Sequence, residues 1–305
     1  MDNKYLVIDE NIKSLNKNNV NLNELPLVSF CIPTFNSSRT LKSCLKSIKR
    51  QKYPKIEIII VDNGSTDDTL KIAEGFTDKI YFDDGLLGSV RQTSVEKSNG
   101  KIIALFDSDI IIPHENWLSN AVTYFNYSDH VSTVWPVNIA PPESPLSTKL
   151  YFNLWKMSMD YRIKKGRSYF GGGNALFWRN CIDEIGGINR SLHWGEDFEW
   201  SKKFKEKNYQ VILLKDPLYH DTMPSVKEFT RKQFIASETF SKTGFELMGL
   251  SAGDLFYENF ILGTSCMVKN LIFKKDYSWA LFPLFLSARC LGYSYALLRN
   301  LVKTN

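Results

Sequence analysis

Asp107 and Asp109 stand two residues apart, directly after the apolar run Ile102-Ile103-Ala104-Leu105-Phe106. In an extended chain successive side chains alternate, so both carboxylates point one way and Ser108 the other. Two hard oxygen donors side by side suit Mg²⁺ or Mn²⁺ rather than Zn²⁺. The plainer reading is a polar exit from a buried strand. Two more polar clusters, Thr34-Phe35-Asn36 and Asp62-Asn63-Gly64, also follow apolar runs. Asp62 is an acceptor-only group at such an exit, suited to an imide or hydroxyl donor. The alternative for Asp62 is a turn-forming aspartate before Asn-Gly. Asp67 reads as a stabiliser of a helix terminus rather than a ligand contact.

The elements that must position these residues follow from periodicity. After Pro26, Val28–Ile32 is a short strand, and Leu41, Cys44, Leu45 and Ile48 form one face of a helix within 37–51. A second strand runs from Ile56 to Val61, then a helix from about Thr66 to Phe76, with Ser65 and Asp68 spaced as a capping box. Lys79–Phe82 is a third strand, 86–98 a helix, and 102–106 a fourth strand. Strands alternating with helices imply βαβ units and a mainly parallel sheet, α/β and Rossmann-like, flanked by helices. In such sheets ligands sit beyond the carboxyl ends of the strands, where the three polar clusters fall. Beyond them, Pro-rich 136–147 reads as a connection, 148–165 as a helix, Gly171-Gly172-Gly173 as a flexible loop, and Gln210–Leu214 as a late strand followed by His220. From about residue 226 the chain reads as helical to its end.

Pro33-Thr34-Phe35-Asn36, Val61-Asp62-Asn63-Gly64-Ser65-Thr66-Asp67-Asp68-Thr69, Asp107-Ser108-Asp109 and Gly195-Glu196-Asp197, in that order, resemble the successive signatures of glycosyltransferase family 2. The resemblance covers roughly residues 26 to 225. It implies the GT-A fold and inverting transfer of a sugar from a nucleotide-diphosphate donor to an acceptor hydroxyl. It places Thr34, Asn36 and Asp62 near the nucleotide. Arg91 lies in a segment similar to the family's A-R-N, with Val90 and Gln92 in place of Ala and Asn. A guanidinium there suits phosphate or carboxylate pairing, with a surface arginine as the alternative. Gly172 and Gly173, in Gly171-Gly172-Gly173-Asn174, match the segment lining the donor-sugar side, where the absence of a Cβ lets backbone approach a ligand.

The resemblance also implies that Asp107 and Asp109 hold Mn²⁺ or Mg²⁺ against the leaving diphosphate, with His220 completing the metal site. It makes Asp197 the general base, Glu196 and Glu199 being its nearest rivals. A purely structural role for Asp197 is an acidic cap at a helix N-terminus, where the dipole would weaken its basicity. Phe198 and Trp200 read as packing residues of that helix. The stretch Lys227–Phe234 departs from the Q-x-x-R-W box of processive synthases, so a single, non-processive transfer is expected. Two rivals are kept: a non-catalytic sugar-nucleotide or glycan-binding module, and a nucleotidyltransferase. The latter needs a glycine-rich basic phosphate loop that Pro33–Asn36 does not supply.

The expected organisation is a polar arm over 1–25, a catalytic domain over 26–225 (nucleotide-sugar half about 26–110, acceptor half about 111–225), and a C-terminal helical extension over 226–305. A net charge of +5 is too mild for a nucleic-acid binder. Basic residues gather near the C-terminus, which suits an anionic membrane surface or acceptor. Residues 279–298 hold fifteen apolar residues in twenty, interrupted by Pro283 and Arg289. They read as helices lying on a bilayer or packing on the domain rather than as a span. The five scattered cysteines fit a reducing compartment, and the polar first 25 residues show no signal peptide. A cytoplasmic enzyme, peripheral on the membrane's cytoplasmic face and acting on a glycan or lipid-linked glycan, is the resulting expectation.

Overall fold

The computed structural model describes residues 5–12, 25–165, 173–192, 196–223, 225–235 and 251–303. The chain divides into two compact units, one of residues 1–138 and 169–220, the other of residues 139–168 and 221–305.

In the first unit, β2 (Val28–Thr34), β3 (Ile56–Asp62) and β5 (Ile102–Leu105) are almost wholly buried. Largely apolar runs of this kind belong in a sheet covered on both faces. The strands run parallel in the order β5-β2-β3-β4, with β4 at Ile80–Phe82. Helices α1 (Leu41–Lys49), α2 (Thr69–Glu74) and α3 (Leu87–Glu96) intervene, and α1 buries the predicted stripe of Leu41, Cys44, Leu45 and Ile48. Beyond β5, strand β8 (Ala175–Trp178) is antiparallel to both β5 and β7 (Val131–Ile139). The sheet continues to β9 (Gln210–His220) and β1 (Leu6–Ile8), which are parallel to each other, and β6 (Ile110–Ile111) pairs antiparallel with β9. Thus the sheet is mainly parallel, with antiparallel insertions at β6 and β8.

Several expectations need correction. Ser65 and Asp68 form no capping box, because the Ser65 hydroxyl is turned to Asp62 and helix α2 starts only at Thr69. Residues 136–139 are strand, not connection: Pro136 lies inside β7. Strand β9 does not stop at Leu214 but runs through Pro217 to His220. Within the arm, Leu6–Ile8 pairs with Val211–Leu213 as an edge strand.

The second unit is helical. Helix α5 (Leu146–Lys164) supplies Leu150, Leu154 and Met157 to a cluster with Met223, Phe229, Trp279, Phe282 and Phe285. Each such side chain contributes about 1.5–3 kcal/mol on full burial. Helix α8 (Ala252–Phe256) opens on a genuine capping box, Ser251 with Asp254. It runs through a π-helical stretch (Tyr257–Leu262) into α9 (Gly263–Phe273), and α10 spans Phe282–Lys303. Among the described residues no helix is long and apolar enough to cross a membrane.

Candidate active site

The parallel strands bring their carboxyl ends together, and the loops that follow are tied to one another. Thr34 Oγ1 donates to Asp62 Oδ1 (2.7 Å), joining the ends of β2 and β3. Asp62 also accepts from the Gly64 amide (3.1 Å) and from the amide and hydroxyl of Ser65 (2.7 and 2.6 Å). Two carboxylate oxygens offer about four acceptor positions, and all four are filled. Gly64 sits at φ +82°, a conformation glycine adopts without penalty. Asp62 thus frames the Asn63-Gly64-Ser65 turn at the end of β3.

Asn36, at φ +47°, accepts from the Thr66 amide through its side chain (2.9 Å) while its own amide donates to Ser65 Oγ (2.8 Å). Asp67 accepts from the Ser38 and Thr69 amides (3.1 and 3.0 Å), which fits its reading as a terminus stabiliser. Hydrogen bonds from the Ser38 and Thr69 hydroxyls, assisted by these amides, hold its carboxyl well below the usual range. The third exit joins the others where Ser108 Oγ donates to Ser37 Oγ (2.9 Å).

The Asp107 loop rests on Phe106, which is buried and meets Phe30 and Trp117 edge-on with centroids 5.2 and 6.1 Å away. Arg91, buried in α3, donates to Asp107 Oδ1 at 2.9 Å. It is thus a carboxylate partner, not a surface arginine. Asn174 holds the same residue twice, donating to Oδ2 (3.1 Å) and accepting from the Asp107 amide (2.8 Å). Burial alone would raise the Asp107 carboxyl. The charges of Arg91 and His220, with the Arg91 and Asn174 hydrogen bonds, outweigh it and hold the carboxyl below its ordinary value. A Cβ on Gly173 would lie 3.3 Å from both the Arg91 guanidinium and Asp107 Oδ2, so glycine lets the backbone pass over this ion pair.

Antiparallel β6 and β9 pair Ile110 with His220, which sets the imidazole beside Asp109. His220 Nε2 lies 3.0 Å from Asp109 Oδ1. That buried oxygen accepts no hydrogen bond among the described residues, so the imidazole is its near neighbour by distance alone. Asp107, Asp109 and His220 each offer one ligand atom, all within 4.8 Å of one another. Two carboxylate oxygens and one imidazole nitrogen fit a divalent ion.

Helix α7 (Glu196–Glu206) is anchored on β8 by Trp200 and Phe204, whose rings meet Phe177 at 5.5 and 6.2 Å. Trp200 is the packing residue expected. Glu199 is bound to Lys203 (2.7 Å) and Asn189 (3.0 Å). Asp197 falls in the first turn of α7, but its side chain, like those of Glu196 and Phe198 and all of Gly172, lies outside the described residues. Sequence reasoning quoted Asn174 in a glycine-rich string but gave it no role. The available signal was an asparagine, tolerant of φ near +68°, directly before a strand.

Residues 29–186 match Glycosyl transferase family 2. The chain is 29% identical over 219 residues to glycosyltransferase AglE of Haloferax volcanii, covering 69% of this chain and 71% of that one. It is 30% identical over 243 residues to the poly(ribitol-phosphate) β-N-acetylglucosaminyltransferase TarS of Staphylococcus aureus, covering 74% of this chain but only 40% of TarS. Mannosyltransferase PcManGT of Pyrobaculum calidifontis, solved with GDP-Man and Mn²⁺, shares the fold with a TM-score of 0.61 at 16% identity, over 90% of this chain and 89% of that one. With three loop clusters at the carboxyl edge of a GT-A sheet and a family match across more than half its length, the chain belongs to glycosyl transferase family 2 and is a glycosyltransferase.

Proposed function

We propose that the protein transfers a sugar, with inversion, from a nucleotide-diphosphate sugar to the hydroxyl of a glycan or lipid-linked glycan, once per encounter. The observation that carries this reading is the Asp107–Asp109–His220 group beyond a buried strand, with Asp109 Oδ1 left without a hydrogen bond. These three residues would hold Mn²⁺ or Mg²⁺, whose charge neutralises that developing on the departing diphosphate. Arg91 and Asn174 keep the Asp107 carboxylate ionised and aimed. The loop turns built on Asp62 and Asn36, with Thr34, shape the nucleotide side, and Gly172 with Gly173 lets the sugar approach the backbone. Asp197, at the start of α7, would take the acceptor's proton, an assignment that rests on the family signature Gly195-Glu196-Asp197. A cytoplasmic location, with the C-terminal helices meeting the membrane face, completes the reading.

A thermal-shift panel of UDP-, GDP- and TDP-sugars with Mn²⁺ identifies the donor, since ligands that bind the native state raise its stability. With that donor, Asp197→Asn should bind nearly as well as the parent yet lose transfer by about 10²–10⁴-fold. NMR of the product should show the inverted anomer. A fully active Asp197→Asn, or a retained anomer, rejects the base assignment or the inverting reading respectively.

A further inference from the structure

The continuous helix through α8, the π-helical stretch and α9 is apolar on both sides: Leu255 is buried, and Leu262, Cys266, Met267 and Leu271 pack against the α5 cluster. Its exposed side carries Phe256, Phe260, Ile261, Val268, Ile272 and Phe273, the last two 63% and 78% exposed. Its buried side carries Glu258 and Asn259. Glu258 lies against α5, accepting from Arg162 Nε and Nη2 (3.2 and 3.1 Å), and Asn259 donates to the Leu255 carbonyl (2.8 Å). The exposed positions recur at intervals of about four, with Thr264, Ser265 and Lys269 among the apolar ones. At 1.5 Å per residue the rod is about 33 Å long, and large apolar side chains exposed along it mark an interaction surface.

The charges select the occupant. Lys269, Lys274 and Lys275 are all exposed at the α9 end of the strip. The neighbouring acids are engaged elsewhere: Asp254 caps α8, Asp276 caps the turn after α9, and Glu258 is buried. A strip with large apolar side chains and lysines but no outward acid matches an anionic lipid surface, where apolar burial and headgroup attraction add. The described helices cannot span a bilayer, so the rod would lie in its interface.

We propose that the outer face of α8–α9 is a membrane-docking surface for anionic lipid, seating the rod parallel to the bilayer with Phe273 and Ile272 inserted. This gives the peripheral membrane contact of the preceding reading a specific surface, and it is tested without measuring transfer. The full chain is floated with vesicles of pure phosphatidylcholine and with vesicles of equal parts phosphatidylcholine and phosphatidylglycerol. Binding should favour the anionic vesicles and weaken with salt. Lys274→Glu/Lys275→Glu should lower that affinity by at least about fivefold per lysine. Ile272→Asp/Phe273→Glu should abolish binding while leaving the melting temperature and the donor-induced shift unchanged, which separates lost docking from a failed transferase reading. Equal binding by parent and both variants, or no binding by the parent, overturns the proposal. So does a dimer that Ile272→Asp/Phe273→Glu converts to monomer while vesicle binding persists.

Discussion

Asp107 is placed by three neighbours from three elements: Arg91 of α3, Asn174 ahead of β8, and Phe106 beneath it. Asn174 can be isolated from the rest. Its φ of +68° is open to glycine, so Asn174→Gly removes the side chain while keeping the backbone accessible. The Asp107 amide and Oδ2 then lose their partners, at a cost of about 1–3 kcal/mol. Chemical denaturation should show that loss, and a Mn²⁺ titration should show weaker binding in the same variant. An unchanged midpoint together with unchanged metal affinity dismisses the positioning role. Asp107 and Asp109 were legible as a carboxylate pair because alternation along a strand is a local property. The function of Asn174 was not, since it depends on β8 lying antiparallel beside β5, a pairing no local pattern encodes.

Elements were read well where their apolar faces were regular, as in α1, β2, β3 and β5, and poorly where side chains found partners outside the segment. Ser65 left the helix to serve Asp62, and β9 outran its apolar run because β6 pairs with its far end. Two contacts between elements can be tested. The Gly88 amide of α3 donates to the Leu192 carbonyl (2.9 Å), and a Cβ there would lie 2.1 Å from the Asn189 carbonyl oxygen. Backbone cannot yield as a side chain tip does, so Gly88→Ala should destabilise by about 1–3 kcal/mol. A melting curve superposable on the parent's would refute that packing. On β3, Glu57 accepts from Lys79 Nζ, Ser29 Oγ and the Asn99 amide, each at 2.5 Å. Burial opposes ionisation, but those hydrogen bonds prevail and hold the carboxyl at about 2, against an ordinary 4.5. A lowered folded-state value means the ionised group stabilises the fold above pH 4.5, and this is lost as pH falls toward 2. Glu57→Gln should therefore be less stable than the parent at neutral pH, with the gap closing through that window. A gap independent of pH points to packing instead of charge.

Taken as a whole, the molecule assembles the Asp107–Asp109–His220 group from distant parts of the chain. Asp107 and Asp109 follow β5, whereas His220 ends β9 and reaches them only through the β6 pairing. The sequence suggested His220 by family resemblance, but not the register that seats it, because Ile110–Ile111 is too short to announce itself as a strand. A cation held by both segments would bind the folded chain and not the unfolded one, so it should stabilise the fold by linkage. At a hundredfold excess over its dissociation constant the gain is about 2.7 kcal/mol. Mn²⁺ should accordingly raise the unfolding midpoint of the parent relative to EDTA. The rise should shrink in His220→Ala and vanish in Asp109→Ala. Asp109→Ala should itself be no less stable than the parent in EDTA, since it removes a buried carboxylate oxygen that accepts no hydrogen bond among the described residues. An Asp109→Ala variant that still gains the full shift from Mn²⁺ would move the ion to other ligands. One that collapses in EDTA would mean that the Asp109–His220 contact holds the fold together without a cation.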